Sequence, residues 1–401
     1  MDILEIVFWV LLTVFAFFYL AYLGIVSFAA KKSNNVKKQQ VLPRVSLIIP
    51  TYNEKDTILK KLSNVKNLNY PREKLEVILI DSGSADKTVE IARSYHENNV
   101  DLNLQLVVEK ERKGKANALN QAFPLCTGEI VVISDADSLI EKDSLLQLVS
   151  NFADSNIGAA TGRQILLNAG QSVATNIEKG YRDIFEVIRT GESHIDSTPI
   201  FHGELSAFRR NLIEKIASDS IADDTELAIR IRKKGYRTIY DSNAKFYEYA
   251  PPTLKARIKQ KQRRGMGLIQ QFFRFRNLMF NRAYGKYGLL ILPSEFFMHV
   301  VSPLLGVIFA ILFLLVVITN PFYMMFMVVS FSAALILILG ILAAVKLVSP
   351  SKRIPNPFAV MLAFLHSQIC LLLAFFLLIT NKKSQQWEKI EDIRSLWKAS
   401  S

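Results

Sequence analysis

Long apolar blocks without charges lie near both ends of the chain, and a segment of mixed polarity separates them. Each block has more than 22 residues, enough for a helix to cross the ~30 Å hydrocarbon layer of a bilayer. Because lipid offers no hydrogen-bond partners to the backbone, we expect helices there. The blocks are 6–30, 296–319, 322–345 and 358–380.

The flanks of the first block predict an uncleaved anchor rather than a secretory signal peptide. Its apolar run is too long for a signal peptide, and acidic Asp2 and Glu5 precede it. Four lysines follow within 31–38, so the positive-inside rule puts the N-terminus outside and the next domain in the cytoplasm. Counting crossings then puts 381–401 outside, but this tail contains five basic residues, so its side stays open.

The segment 43–250 alternates short apolar runs, rich in branched residues, with amphipathic stretches. This alternation predicts an α/β domain with a mostly parallel sheet covered on both faces. Ligands of such open sheets bind beyond the carboxyl ends of the strands. We predict strands at 45–49, 75–80, 104–108 and 130–134, and helices at 55–67, 86–96 and 115–125.

Polar groups follow three of these strands, at 50–54, 81–86 and 135–137, and we expect them at one edge of the sheet. The last group is Asp135-Ala136-Asp137, two carboxylates one residue apart. Such a pair suits Mg²⁺ or Mn²⁺ bridged to a diphosphate, with Asp137 as direct ligand and Asp135 toward a ribose or a bound water. The alternative is a helix cap or a solvated turn.

Charge and composition narrow the class further. Half of the 401 residues are hydrophobic, and the net charge is +13, which favours an anionic membrane surface or a phosphorylated substrate. Two cysteines and five histidines show no zinc-site spacing. Segment 255–286 has ten basic residues and no acid, typical of amphipathic helices at a membrane surface. A solvated helix and single-strand nucleic-acid binding are the alternatives, and the adjacent spanning helices argue against nucleic acid.

Six motifs in order resemble the membrane-bound inverting glycosyltransferases of family 2, which have a GT-A fold. The resemblance covers about 43–267 and rests on these motifs together. They are PTYNE at 50–54, DSGSADKT at 81–88, GKANALN at 114–120, DAD at 135–137, ADDTELAIRIRKKGYR at 222–237 and QKQRRGMG at 260–267.

The resemblance implies a role for each matching residue. Thr51 and Glu54 would contact the nucleotide near its base and ribose, Asp81 would read the base, and Lys115 would lie near the nucleotide. Asp135 and Asp137 match the metal-binding pair. Asp224, beside Asp223, matches the general base. Gln260, Arg263 and Arg264 fall on a QxxRW motif that closes over the diphosphate.

The chain departs from the family pattern at three places. Ser82 stands where many relatives have a second acid, and Asp223 replaces the usual glutamate. Arg264 replaces the tryptophan that stacks under the acceptor sugar in processive relatives, which argues against processive synthesis.

We therefore predict a metal-assisted transferase that moves a sugar from a nucleotide-diphospho-sugar to a lipid-linked or other membrane-associated acceptor at the plasma membrane. A processive polysaccharide synthase and an inactive membrane scaffold are the alternatives. The predicted organisation is an anchor and linker (1–42), a cytosolic GT-A domain (43–250), interfacial helices (251–295), spanning helices (296–381) and a polar tail (382–401).

Overall fold

The computed structural model describes residues 3–32, 36–319, 325, 357–380 and 391–399. Its strands are β1 (Val45–Thr51), β2 (Leu75–Asp81), β3 (Leu104–Val108), β4 (Ile130–Ile133), β5 (Leu139–Ile140), β6 (Ile157–Leu166), β7 (Ser206–Arg209) and β8 (Arg237–Glu248). The helices of the central domain are α2 (Ile58–Lys66), α3 (Thr88–Glu97), α4 (Lys115–Ala122), α5 (Ser144–Val149), α6 (Val173–Ile195) and α7 (Asp223–Lys233). The remaining helices are α1 (Ile3–Ala30), α8 (Leu254–Arg274), α9 (Tyr287–Thr319), α10 (Pro357–Ile379) and α11 (Glu391–Ala399).

One eight-stranded sheet in the order β3-β2-β1-β4-β7-β6-β8-β5 forms the centre of this domain. Strands β1 to β4 are parallel, and β7 runs antiparallel to β4. Successive residues of β1 face opposite sides, so Leu47 and Ile49 join one core while Ile48 joins the other. Both faces are covered, as the continuous apolar runs predicted. The predicted α/β class and the four predicted strands are confirmed.

Three helices of the described part are long and apolar enough to cross a membrane: α1, α9 and α10. No more than 22% of the apolar window of each is buried inside the protein, so large side chains such as Phe17 and Leu20 point outward. Lipid is the solvent in which that exposure costs least. The predicted crossing at 322–345 lies outside the described residues.

Helix α6 lies between the sheet and the spanning helices and packs against α1 and α10. Gly191 permits the close crossing with α1, because a Cβ at this position would lie 2.1 Å from the carbonyl oxygen of Val26. Nearby, the hydroxyl of Tyr22 donates a hydrogen bond to Glu192 at 2.5 Å. These contacts fasten the domain to its first spanning helix.

Helix α8 corrects the prediction of a lipid-facing position for two of the ten basic residues of 255–286. Arg257 and Lys261 are buried and both pair with Glu178 of α6, at 3.0 and 2.9 Å. The apolar side of α8, including Phe272, packs with residues of α9 and α10. The cations turn inward because the carboxylate that compensates them lies on another helix, which the pattern of α8 alone does not reveal. The interfacial position of α8 stays a prediction.

Candidate active site

The carboxyl ends of β1, β2 and β4 meet at one edge of the sheet, as predicted from the strand order. Thr51 pairs with Asp81 in the register of β1 and β2, and Ile48 pairs with Ile133 of β4. Beyond this edge lies a cleft that opens to solvent. Nine of the predicted site residues line it: Glu54, Lys115, Asp135, Asp137, Asp223, Asp224, Gln260, Arg263 and Arg264.

Thr51 and Asp81 do not line this cleft. Both are buried at the ends of their strands, where the Thr51 hydroxyl donates to Asp81 at 3.1 Å. Asp81 also accepts a hydrogen bond from the backbone N–H of Ser84 at 2.8 Å. The two side chains thus fix the loops after β1 and β2, and their predicted nucleotide contacts stay predictions.

A buried lysine holds the loop that carries Asp135 and Asp137. Lys61 of α2 is fully buried, and its ammonium donates to the Ser134 hydroxyl at 2.6 Å and the Ser138 carbonyl at 2.9 Å. Burial lowers the pKa of Lys61 to about 7, although Asp135 and Asp137 act in the opposite direction. No local pattern indicates this support, because Lys61 lies more than 70 residues before the loop.

Asp137 lies among other acids. Burial, followed by the charges of Glu54 and Asp135, raises the pKa of Asp137 to about 7. A buried group of like charges is costly without a compensating cation. The position therefore suits a cation better than it suits a carboxylate alone.

Lys115, at the start of α4, connects the two sets of aspartates. Its ammonium lies 2.6 Å from Asp135 and 3.6 Å from Asp223. Gly203 leaves room for this contact: a Cβ there would lie 2.8 Å from Lys115 Nζ, 3.5 Å from Asp135 and 3.7 Å from Asp224. The side chains predicted to act together therefore converge around one glycine.

Asp223 and Asp224 begin α7. A helix N-terminus favours carboxylates, yet burial and then the charge of Asp223 raise the pKa of Asp224 to about 7. Burial likewise raises the pKa of Asp223, against the opposing effect of Lys115. Asp224 is thereby suited to accept a proton near neutral pH.

The arginines of α8 complete the positive side of the cleft. Arg264 forms an ion pair with Glu204. Burial acts to raise the pKa of Glu204, but Arg264 holds it well below its usual range. Arg263 lies in the field of Asp135 and Asp137. Where processive relatives would place an aromatic ring, this chain therefore has a charged pair.

The structure adds cleft residues that sequence patterns did not indicate. Arg394, on α11, donates to the backbone carbonyl of Asn53 at 2.6 Å and to the carboxylate of Glu54 at 2.5 Å. Helix α6 contributes Tyr181, Arg182 and Arg189. Three basic or aromatic residues on one amphipathic helix are ordinary in sequence, so no local signal marked them.

Docking of α11 bears on the side of the tail, which the crossing count and the basic residues of the tail left open. Besides Arg394, Trp397 takes part: its carbonyl accepts a hydrogen bond from Lys60 of α2 at 2.8 Å, and its ring lies edge-on to Tyr249 at 4.9 Å. Helix α11 therefore lies on the same side of the membrane as the central domain.

The carboxylates of the cleft determine whether it could hold a divalent cation. Within the described ranges, no three His, Cys, Asp or Glu side chains are arranged to hold a metal by themselves. Mg²⁺ and Mn²⁺ bound to a nucleotide take only one or two carboxylates together with phosphate oxygens and waters. Asp135 and Asp137 fit that smaller requirement.

These features together are those of a glycosyltransferase of GT-A type: a mostly parallel α/β domain, paired aspartates at its carboxyl edge, an Asp-Asp helix start and a QxxR helix. The family model described as "Glycosyltransferase like family 2" matches residues 43–267, more than half of the chain. The protein belongs to this family.

Individual relatives are consistent with that assignment. A poly-beta-1,6-N-acetyl-D-glucosamine synthase of Staphylococcus aureus is 30% identical over 240 residues, 58% of this chain and 57% of the relative. A probable glycosyltransferase of Bacillus subtilis is 31% identical over 253 residues, 59% of each chain. The match thus spans a little over half the length of these relatives.

Among solved structures, a mannosyltransferase from Pyrobaculum calidifontis, in complex with GDP-Man and Mn²⁺, is similar over almost the whole chain. The TM-score is 0.76 at 32% identity, covering 95% of this chain and 100% of that one. The likeness therefore extends beyond the α/β domain to the helices that follow it.

Proposed function

We propose that the protein is an inverting glycosyltransferase that moves a sugar from a nucleotide-diphospho-sugar to a lipid-linked acceptor. The convergence of Asp137, Lys115, Asp224 and Arg263 in one cleft carries this proposal. The Pyrobaculum neighbour, which holds GDP-Man and Mn²⁺, supports a donor and metal of the same kind.

In this proposal, Asp224 takes the proton of the acceptor hydroxyl as its oxygen attacks the anomeric carbon. The bond from that carbon to the diphosphate oxygen breaks, and the nucleotide diphosphate leaves with both electrons. Arg263 supplies fixed positive charge where the leaving group develops negative charge. A divalent cation held by Asp137, with Asp135 nearby, would add Lewis-acid stabilisation of the leaving group. A single displacement converts an α-linked donor to a β-linked product.

The surroundings of the cleft support a membrane-associated acceptor. Two helices that line the cleft, α6 and α8, pack directly against the spanning helix α10. An acceptor whose sugar is tied to a lipid reaches this wall without leaving the bilayer. The lysines that follow the first spanning helix support a plasma-membrane location with the cleft on the cytoplasmic side.

A processive polysaccharide synthase is the second candidate, and the Staphylococcus relative favours it by name. The Arg264–Glu204 ion pair argues against it, because a charged pair offers no flat ring for a sugar to stack on. Product size separates the two candidates: a high polymer made from donor alone would replace the first proposal with the second.

A donor screen on the purified protein in lipid tests the proposed function. Release of nucleotide diphosphate is measured with Mg²⁺ and with Mn²⁺, and the anomeric configuration of the product is assigned by NMR. We expect Asp137→Ala to lose metal-dependent donor binding. We expect Asp224→Asn to bind donor while transfer falls by ~10²–10⁴.

Asp219→Asn is the matched control, because Asp219 pairs with Arg274 outside the cleft. Full transfer by Asp224→Asn would remove the base assignment, and an α-linked product from an α-linked donor would refute inversion. If no donor is cleaved in the presence of metal, an inactive scaffold becomes the better description.

A further inference from the structure

The wall of the cleft nearest the spanning helices contains a buried arginine that pairs with no carboxylate of the described residues. Arg189 of α6 is only 5% exposed and lines the cleft. Its Nε has no hydrogen-bond partner, and within the described residues no carboxylate lies within ion-pair distance of its guanidinium. Its close contact is with the ring of His202, and Phe185 lies under the guanidinium at 5.6 Å.

The neighbouring buried cations are compensated differently. Arg182, Arg257 and Lys261 all pair with Glu178, at 2.8 to 3.0 Å, and Arg264 pairs with Glu204. Arg182 and Arg257 alone outnumber the carboxylate of Glu178, which leaves a surplus of positive charge there. Arg189 adds to that surplus instead of reducing it.

His202 does not supply the missing negative charge. Burial, and then the positive charge of Arg189, lower the pKa of His202 well below its usual range, so the ring is neutral. The acid that acts on Arg189 from a spanning helix is Glu295, which lies beyond ion-pair distance. The guanidinium therefore keeps its charge among groups that do not neutralise it.

Keeping an uncompensated charge buried is expensive for a folded protein. Such a position is retained at low cost only if a ligand brings the opposite charge. A guanidinium is planar and presents several donors, which matches the oxygens of a phosphate group.

The position of Arg189 indicates which phosphate this is. In the proposed function, the donor diphosphate binds beside Asp135, Asp137 and Arg263, and the charges of both aspartates act on Arg263. The groups that act most strongly on Arg189 are instead Tyr181, Arg182, Tyr240 and Glu295. Moreover, α6 packs against α1 and α10, so this end of the cleft faces the bilayer.

We propose that Arg189, assisted by Arg182, binds the phosphate group that joins a lipid-linked acceptor to its lipid. This inference rests on the proposed function and refines it by naming the chemistry of the acceptor. The acceptor hydroxyl is then directed toward Asp224 by a phosphate anchored on the bilayer side.

Binding of a simple lipid phosphate to the purified full-length protein tests this site. Thermal unfolding is followed in nonionic detergent with dodecyl phosphate and, separately, with uncharged dodecanol. We expect dodecyl phosphate alone to raise the melting temperature of the wild type, by at least about 2 °C at saturation. Arg189→Gln should show no rise, and Arg189→Lys a smaller one.

Without ligand, Arg189→Gln should melt at or above the wild-type temperature, because an uncompensated buried charge has been removed. A purely structural arginine would give the reverse, and a clear loss of stability in both Arg189→Gln and Arg189→Lys would overturn the proposal. Arg163→Gln is the control, since Arg163 pairs with Glu186 of α6 but lies outside the cleft. An equal rise with dodecanol, or in Arg189→Gln, would also overturn it.

Vesicles separate an acceptor phosphate from ordinary anionic lipid. If phosphatidylglycerol vesicles, but not phosphatidylcholine vesicles, stabilise the wild type through Arg189 as well as dodecyl phosphate does, the site binds bulk headgroups and the acceptor assignment fails. Binding is measured without transfer. A wild type that binds dodecyl phosphate but transfers no sugar would therefore contradict the proposed function alone. Unimpaired transfer by Arg189→Gln to a phosphate-bearing acceptor would contradict this inference alone.

Discussion

At the scale of single residues, the local environment decides what Asp224 is able to do. An exposed aspartate has a pKa near 4 and is a weak base at neutral pH. Burial, together with the charges of Asp223 and Glu204, outweighs Lys115 and raises the pKa of Asp224 to about 7. The raised pKa makes Asp224 a stronger base whose charged form appears only near neutrality.

The activity should therefore depend on pH through Asp224. We expect the rate of transfer at low acceptor concentration to rise with pH and to level off above about pH 7, because only the deprotonated carboxylate accepts a proton. The measurement is kcat/KM for the acceptor from pH 5 to pH 9. A rise of kcat/KM centred near pH 4 would contradict the raised pKa of Asp224.

Ionisation of Asp224 should also affect the stability of the fold, but in the opposite direction: stability should fall where activity rises. The folded carboxyl keeps its proton up to about pH 7, whereas the unfolded one loses it near pH 4. The wild type is thus expected to lose stability as pH rises across that interval. Asp224→Asn should show a flatter melting-temperature profile, and Asp219→Asn should follow the wild type.

At the scale of elements, the crossing of α1 and α6 joins the membrane anchor to the cleft. The hydroxyl of Tyr22, the carboxylate of Glu192 and the missing side chain of Gly191 all lie at this crossing. Helix α6 also carries Arg189, so a shift of this helix alters the cleft directly.

Gly191→Ala should push the two helices apart, because the new Cβ would lie 2.1 Å from a backbone oxygen of Val26. We expect a stability loss of about 1–3 kcal/mol, typical of overpacking, seen as a lower melting temperature, with reduced transfer. Gly24→Ala on α1 is the control, since nothing lies within 4 Å of a Cβ there. Equal melting temperatures for both variants would contradict the crossing.

Helix α11 is the element that places a cation at the donor end of the cleft. Arg394 pairs with Glu54 and lies in the field of Asp137. We expect Arg394→Ala to raise the KM for the nucleotide-sugar about tenfold, the loss typical of one charge-assisted hydrogen bond. Lys398→Ala, at an exposed position of the same helix, should leave the KM unchanged. Similar KM values for both variants would mean that α11 acts only as packing.

At the scale of the whole molecule, the docking of α11 fixes the side of the tail relative to the domain. Thr253 donates to Asp392 at 3.0 Å, and Arg394 bonds to the loop after β1. These contacts require α11 and the sheet to share one aqueous compartment.

A cysteine at Ser395 on α11 should therefore react with a membrane-impermeant maleimide under the same conditions as a cysteine at Glu97, an exposed position of α3. We expect both to react only after the cells are permeabilised, since the domain is proposed to be cytoplasmic. The native Cys126 and Cys370 are buried, so they should add little background labelling. Labelling of Ser395→Cys alone in intact cells would place the tail on the opposite side.

The sequence by itself determined the elements and the edge of the sheet where the chemistry lies. Branched apolar runs form strands and long uncharged runs form spanning helices, because both depend on the polarity of neighbouring residues. Parallel strands bring their carboxyl ends together, and this rule alone predicts that Asp135 and Asp137 lie at the edge of the sheet where ligands bind. The roles of Asp224 and Arg263 were predicted from the resemblance of their motifs to the glycosyltransferase family.

Only the tertiary structure decided which charges compensate one another. Arg257 turns inward to Glu178, about 80 residues away, and Arg394 reaches back to Glu54. Arg189 meets no carboxylate in the part of the chain that the structure describes. The polarity pattern around each of these arginines is the same as that of a solvated helix face. Ion pairing in a buried site depends on residues brought together by packing, and long-range pairs of that kind leave no trace in local sequence.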